Sequence, residues 1–158
     1  MVMSVHRVTL LCVGSVKTSW IAEGCSEYAT RLQRSVRLEI VELPASKQRD
    51  AEKQRREESD RVIEALKKVD GDAYVLDERG ERMTSHEFSA LFVHAADAGT
   101  PLTFVLGGAY GLLPEVKRHV RGSIRLSDMT FPHELCRLVF LEQVYRALEI
   151  ARGSGYHH

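Results

Sequence analysis

The stretch Leu102-Thr103-Phe104-Val105-Leu106-Gly107-Gly108-Ala109-Tyr110-Gly111 decides the fold. An apolar run of this length, ending abruptly in glycines, suits a strand buried on both faces, as in a parallel sheet. Glycines at the carboxyl end of such a strand let backbone approach something closely, either a ligand or the chain's own turn. In open parallel sheets ligands sit beyond those carboxyl ends.

Outward from this strand the chain alternates strands and helices. Val8–Val13 reads as a buried first strand, and Thr18 or Ser19 caps a helix with apolar positions Trp20, Ile21, Cys25, Tyr28 and Leu32. Val36–Leu43 alternates Val36, Leu38 and Ile40 with Arg37 and Glu39, a half-buried second strand closed by Pro44. Lys47–Arg61 interleaves both signs of charge and reads as a solvated loop entering an exposed helix, whose apolar face begins at Val62. Ala73–Asp77 is a third strand. Thr84 and Glu87 form a capping box for a helix that Gly99 stops. After the glycines, a short helix starts at Pro114 and Ser123–Leu126 forms a fifth strand. The last helix runs from about His133 to Arg152. Twelve of the 17 residues Leu135–Ala151 are apolar, too many for a helix lying on a surface. Glu142, Arg146 and Glu149 make one narrow polar stripe, with Arg137 on roughly the opposite side. A second copy of the chain is the natural cover. The pattern predicts an α/β fold, a mainly parallel sheet with helices on both faces.

Composition narrows the function. A length of 158 residues, 44% hydrophobic and 28% charged, suits one domain over 1–158 and excludes disorder as the main state. Lys plus Arg and Asp plus Glu are 22 each, so nucleic acid is not gripped through bulk charge. Cys12, Cys25 and Cys136 form no CxxC pair and read as small buried residues in a reducing compartment. No run reaches the ~20 apolar residues of a membrane span, and Val8–Val13 is too short for a signal peptide. The expectation is a soluble cytoplasmic protein.

Several familiar motifs fail on inspection. Lys17-Thr18 follows a strand, but the glycines of a phosphate-binding loop are missing. Gly107-Gly108-x-x-Gly111 follows the fourth strand, not the first, unlike a dinucleotide fingerprint. Histidines are scattered without metal-ligand spacing, so no metal is expected. His133 is open to a catalytic or a capping role. Gly153-Ser154-Gly155-Tyr156-His157-His158 reads either as a frayed tail or as a stem carrying groups able to stack on a base and exchange protons.

Three stretches together are specific: Phe104–Gly111, Leu126-Ser127-Asp128-Met129-Thr130-Phe131-Pro132-His133, and Glu142-Gln143-Val144-Tyr145-Arg146-Ala147 running on to Tyr156-His157. With Val13-Gly14, Glu42-Leu43-Pro44 and Tyr74–Asp77, the chain resembles, over nearly all its length, the RlmH family. These are SPOUT-class methyltransferases of N3 of a pseudouridine in large-subunit (23S) ribosomal RNA. The resemblance implies a C-terminal trefoil knot, which periodicity does not show and which is rare among folds. It implies a homodimer and S-adenosyl-L-methionine held by Leu76, Gly107, Gly108, Leu126, Ser127, Asp128, Met129, Thr130 and Phe131. Tyr156 and His157 are then candidates to orient the base or relay its proton, and Arg146 to hold phosphate or a base carbonyl. Members commonly end in Tyr-His followed by Lys or Arg, whereas this chain ends in His158. Near-zero net charge fits a substrate met as an assembled large subunit or whole ribosome. Two rivals remain: a nucleotide- or flavin-binding α/β module without methyl transfer, and a non-catalytic ribosome-associated factor.

Overall fold

Five strands, β1 (Arg7–Val13), β2 (Arg37–Leu43), β3 (Asp72–Arg82), β4 (Leu102–Leu106) and β5 (Gly122–Arg125), lie parallel in the order β2-β1-β4-β3-β5 in a computed structural model describing residues 6–158. Between them run α1 (Ser19–Leu32), α2 (Ala51–Leu66), α3 (Ser85–Asp97) and a 3-10 turn at Pro114–His119, with α4 (His133–Arg152) closing the fold. The central strands β1 and β4 are nearly all buried, as their apolar sequences require.

Alternation along the strands feeds two cores. Leu10, Cys12 and Phe104 face α1, α3 and α4, whereas Leu11, Val13 and Val105 face α2 and the 3-10 turn. On the first side Phe88, Phe92, Phe104 and Phe140 form an aromatic cluster with ring centroids 5.0–5.8 Å apart. The Thr84–Glu87 capping box of α3 is present, and Gly153, at φ 67°, ends α4 in the left-handed conformation.

Several expectations need correction. Lys47–Arg61 is not simply a solvated loop and exposed helix: α2 begins at Ala51, capped by Asp50, and buries Glu58 and Ser59. Ser59 Oγ accepts the Leu113 N–H at 2.8 Å, which explains why a polar residue is tolerated there. Thr18 stands at the N-cap of α1 without a side-chain cap; instead Glu134 of α4 accepts the Lys17 and Thr18 N–H groups, each at 3.0 Å. Of the polar stripe, Glu149 is buried, with Arg152 3.2 Å from its carboxylate, while Glu142 and Arg146 are half-buried. Cys136 is half-buried; Cys12 and Cys25 are buried as expected.

The third strand runs on to Arg82, beyond the expected Asp77. Leu76 and then Glu81 both pair with Ile124, so the segment between them arches against β5. Gly80 makes this possible: a Cβ there would sit 2.7–2.8 Å from backbone atoms of Ile124 and Ser123.

Candidate active site

The carboxyl ends of β3, β4 and β5 bring three loops to one end of the sheet. Leu76, Ile124 and Leu126 line a narrow cleft with Met83, Phe88 and Phe140, and Thr84, Ser85, Arg125 and Gln143 supply its polar groups. Its open volume is about 30 Å³, room for a water, so a larger ligand enters only if a wall moves. Arg125 Nε is buried and has no hydrogen-bond partner among the described residues.

The glycine loop approaches other chain segments closely. A Cβ on Gly107 would lie 3.0 Å from Leu112 Cγ, and one on Gly108 would lie 2.8 Å from Glu58 Oε1. Glu58 also accepts the Ser46 N–H at 2.9 Å. The α2 helix therefore buttresses the loops after β2 and β4 together.

The C-terminal tail is seated, not frayed. Tyr156 and His157 are half-buried against α4, while His158 is exposed. Glu142 Oε1 accepts from Arg146 at 2.8 and 3.1 Å and from the Tyr156 hydroxyl at 3.2 Å. Arg146 also lies over the Tyr156 ring, 4.9 Å from its centroid, and its Nη1 is 3.1 Å from His157 Nδ1. Burial, then contact with Tyr28 and the Glu142 carboxylate, pushes the Tyr156 phenol up to about 12. Gln143 links this cluster to the cleft: its Nε2 donates to Glu142 Oε2 at 2.9 Å, and its Oε1 accepts from Ser85 at 2.7 Å.

The match to known proteins is then decisive. A family model described as "Predicted SPOUT methyltransferase" matches residues 6–157. The chain belongs to the SPOUT methyltransferase family. It is 41% identical over 157 residues to the ribosomal RNA large subunit methyltransferase H of Syntrophotalea carbinolica, covering 96% of this chain and 99% of that one. Proteins of the same name from Geobacter sp. (strain M21) and Acetivibrio thermocellus are 40% and 38% identical, each alignment covering 96% of this chain and 99% of the relative.

Within this SPOUT chain the expected residues sort into groups. Leu76 and Leu126 share the cleft, and Gly107 and Gly108 follow β4 at the same end of the sheet. Ser127 and Phe131 are half-buried; Asp128, Met129 and Thr130 are exposed, Met129 at 78%. Asp128 is engaged by Arg125 at 2.8 Å and Arg82 at 3.1 Å, which hold its carboxyl below the usual range. Tyr156, His157 and Arg146 converge. His133 is exposed and does not line the cleft. Sequence reasoning missed Glu58, Ser85 and Gln143 as site-building residues. Only Gln143 carried a signal, lying within the quoted motif beside Glu142.

A larger groove of about 720 Å³ lies between β1, β2 and α2, lined by Glu39, Glu57, Asp60 and Glu64 among others. It contains none of the expected cofactor or tail residues.

Proposed function

We propose that this chain, one SPOUT domain over residues 1–158 threaded as a trefoil knot, methylates N3 of a pseudouridine in 23S ribosomal RNA from S-adenosylmethionine. The carrying observation is the cluster of Tyr156, His157, Arg146 and Glu142, tied through Gln143 and Ser85 to the cleft at the ends of β3 and β5. The names of the relatives supply the ribosomal RNA.

Once a wall moves, the cleft suits the methyl donor: apolar walls with a few polar groups suit a nucleoside, and the buried Arg125 Nε has no partner among the described residues. Leu76, Gly107, Gly108 and the run Leu126–Phe131 would hold it, the exposed Asp128–Thr130 loop moving aside to admit it at the cost of the Asp128 contacts to Arg125 and Arg82. When bound, S-adenosylmethionine supplies a methyl group made electrophilic by its sulfonium. The chain's own residues hold the base in line with that methyl and stabilise the charge left as the N3 proton departs.

The protein acts in the cytoplasm as a homodimer, without metal, on the large subunit or the whole ribosome. Cys136, Val139, Gln143, Arg146 and Ile150 form one face of α4, and its half-buried apolar members lie outside both cores. No helix among the described residues is long and apolar enough to cross a membrane. With 22 cationic and 22 anionic side chains, affinity comes from the assembled ribosomal surface rather than from free RNA.

Tritiated-methyl transfer to ribosomal particles from cells lacking the enzyme tests this reading. Label in the large-subunit RNA is the expected result. Particle binding without label favours the ribosome-associated factor, and calorimetric binding of NAD or FMN in place of S-adenosylmethionine favours the nucleotide module.

A further inference from the structure

Three tail residues can carry a proton: His158 is exposed, and Tyr156 and His157 are already committed. A guanidinium has donors only, so the 3.1 Å contact from Arg146 Nη1 makes His157 Nδ1 the acceptor. A neutral imidazole whose Nδ1 lone pair is engaged carries its hydrogen on Nε2. The ring also packs edge-on against His86 of α3, with centroids 4.8 Å apart. Arg146 is fixed in turn by Glu142, through Nε at 3.1 Å and Nη2 at 2.8 Å. Tyr156 spends its hydroxyl hydrogen on the same carboxylate, at 3.2 Å.

We propose that Glu142 is a positioning residue which, through Arg146, fixes His157 as the Nε2–H tautomer. His157 is thereby a hydrogen-bond donor to a carbonyl oxygen of the target base, not the acceptor of its N3 proton. The inference rests on the proposed function for the identity of that base. N3 of a uracil ring lies between two carbonyl groups, and its negative charge on deprotonation spreads onto their oxygens. A fixed N–H aimed at one of them stabilises this charge as it develops. The N3 proton passes to water; the electron pair it leaves forms the N–C bond, while the C–S pair returns to sulfur. Tyr156, a phenol raised to about 12, is protonated at neutral pH and is not the base either.

Two measurements test this on the full chain. In long-range proton–nitrogen NMR of histidine-labelled protein, the His157 signals are those lost in His157→Gln. Wild type is expected to show hydrogen on Nε2 and none on Nδ1 at mildly alkaline pH. Arg146→Met and Glu142→Gln are expected to give a mixture of tautomers. Hydrogen on Nδ1 in the wild type overturns the proposal. In the methyl-transfer assay His157→Gln, whose amide N–H stands near the Nε2 position, retains activity within about tenfold, whereas His157→Ala loses about 100-fold or more. Gln as inactive as Ala identifies a proton acceptor and overturns the proposal. A wild type with the expected tautomer that transfers no methyl group overturns instead the proposed function.

Discussion

Gly108 and Glu58 are in contact through the absence of a side chain: a Cβ on Gly108 would lie 2.8 Å from Oε1 of that carboxylate. Glu58 is only 4% exposed, and its other oxygen accepts the Ser46 N–H, so it cannot swing aside without losing a hydrogen bond. Gly108→Ala and Glu58→Ala are each expected to destabilise the fold by ~1–3 kcal/mol, the first by overpacking and the second by orphaning the Ser46 donor. The double variant should lose less than the sum, because removing the carboxylate makes room for the new methyl. Urea denaturation of the four proteins measures this coupling. Additive losses would show that the two residues do not press on each other.

Gly80 presents a harsher case, since its neighbours are backbone and cannot rotate away. Gly80→Ala is expected to force β3 from β5 at Ile124 and cost about 3 kcal/mol or more. Thermal unfolding reads the loss directly. A melting temperature within a degree or so of wild type would mean that the arch relaxes freely.

Leu138 and Val139 are adjacent on α4 but have different fates. Leu138 packs on Gly24 of α1, where a Cβ would approach its Cδ1 to 2.9 Å, and belongs to the core. Val139 is half-buried outside both cores. Leu138→Glu is therefore expected to unfold the chain, and Val139→Glu to leave a folded monomer with a native circular dichroism spectrum. Sedimentation analysis of wild type and Val139→Glu decides; equal masses would remove α4 from the interface.

Burial raises all three thiols above the ordinary cysteine value, Cys12 to about 12. Thiol reagents should label native protein slowly at mildly alkaline pH and denatured protein at once. The unfolded Cys12 ionises near 9 while the folded one stays neutral, so the folded state binds the extra proton between these values. Stability is accordingly retained below about pH 9 and falls as pH rises toward about 12. A denaturation midpoint that falls less steeply with pH in Cys12→Ala than in wild type assigns that share of the effect to Cys12, the remainder belonging to Cys25, Cys136 and Tyr156; equal slopes would contradict it.

Local patterns made much of the architecture legible. The apolar run of β4, the Thr84–Glu87 box and the excess of apolar residues in α4 each fixed an element to within a residue or two. Glu58 and Ser59 were illegible because a charged segment reads as solvated unless its distant partners, Ser46 and Leu113, are known. The extension of β3 to Arg82 was hidden by Glu78 and Arg79, charged residues that face solvent as the chain arches over β5. In the site, motif order brought Arg146, Tyr156 and His157 to notice. Their common anchor, Glu142, was legible only as one member of the polar stripe of α4, because its partner Tyr156 lies beyond the helix end and reaches it only when the tail folds back.

The central claim is settled by where the methyl group goes. Large-subunit RNA should be methylated in ribosomal particles by the purified protein, digested to nucleosides and mapped by mass spectrometry against standards. The account predicts one new nucleoside, N3-methylpseudouridine, from a single position, absent when S-adenosylmethionine is omitted and strongly reduced in His157→Ala. A methyl group recovered on another base, on ribose or on ribosomal protein would contradict it.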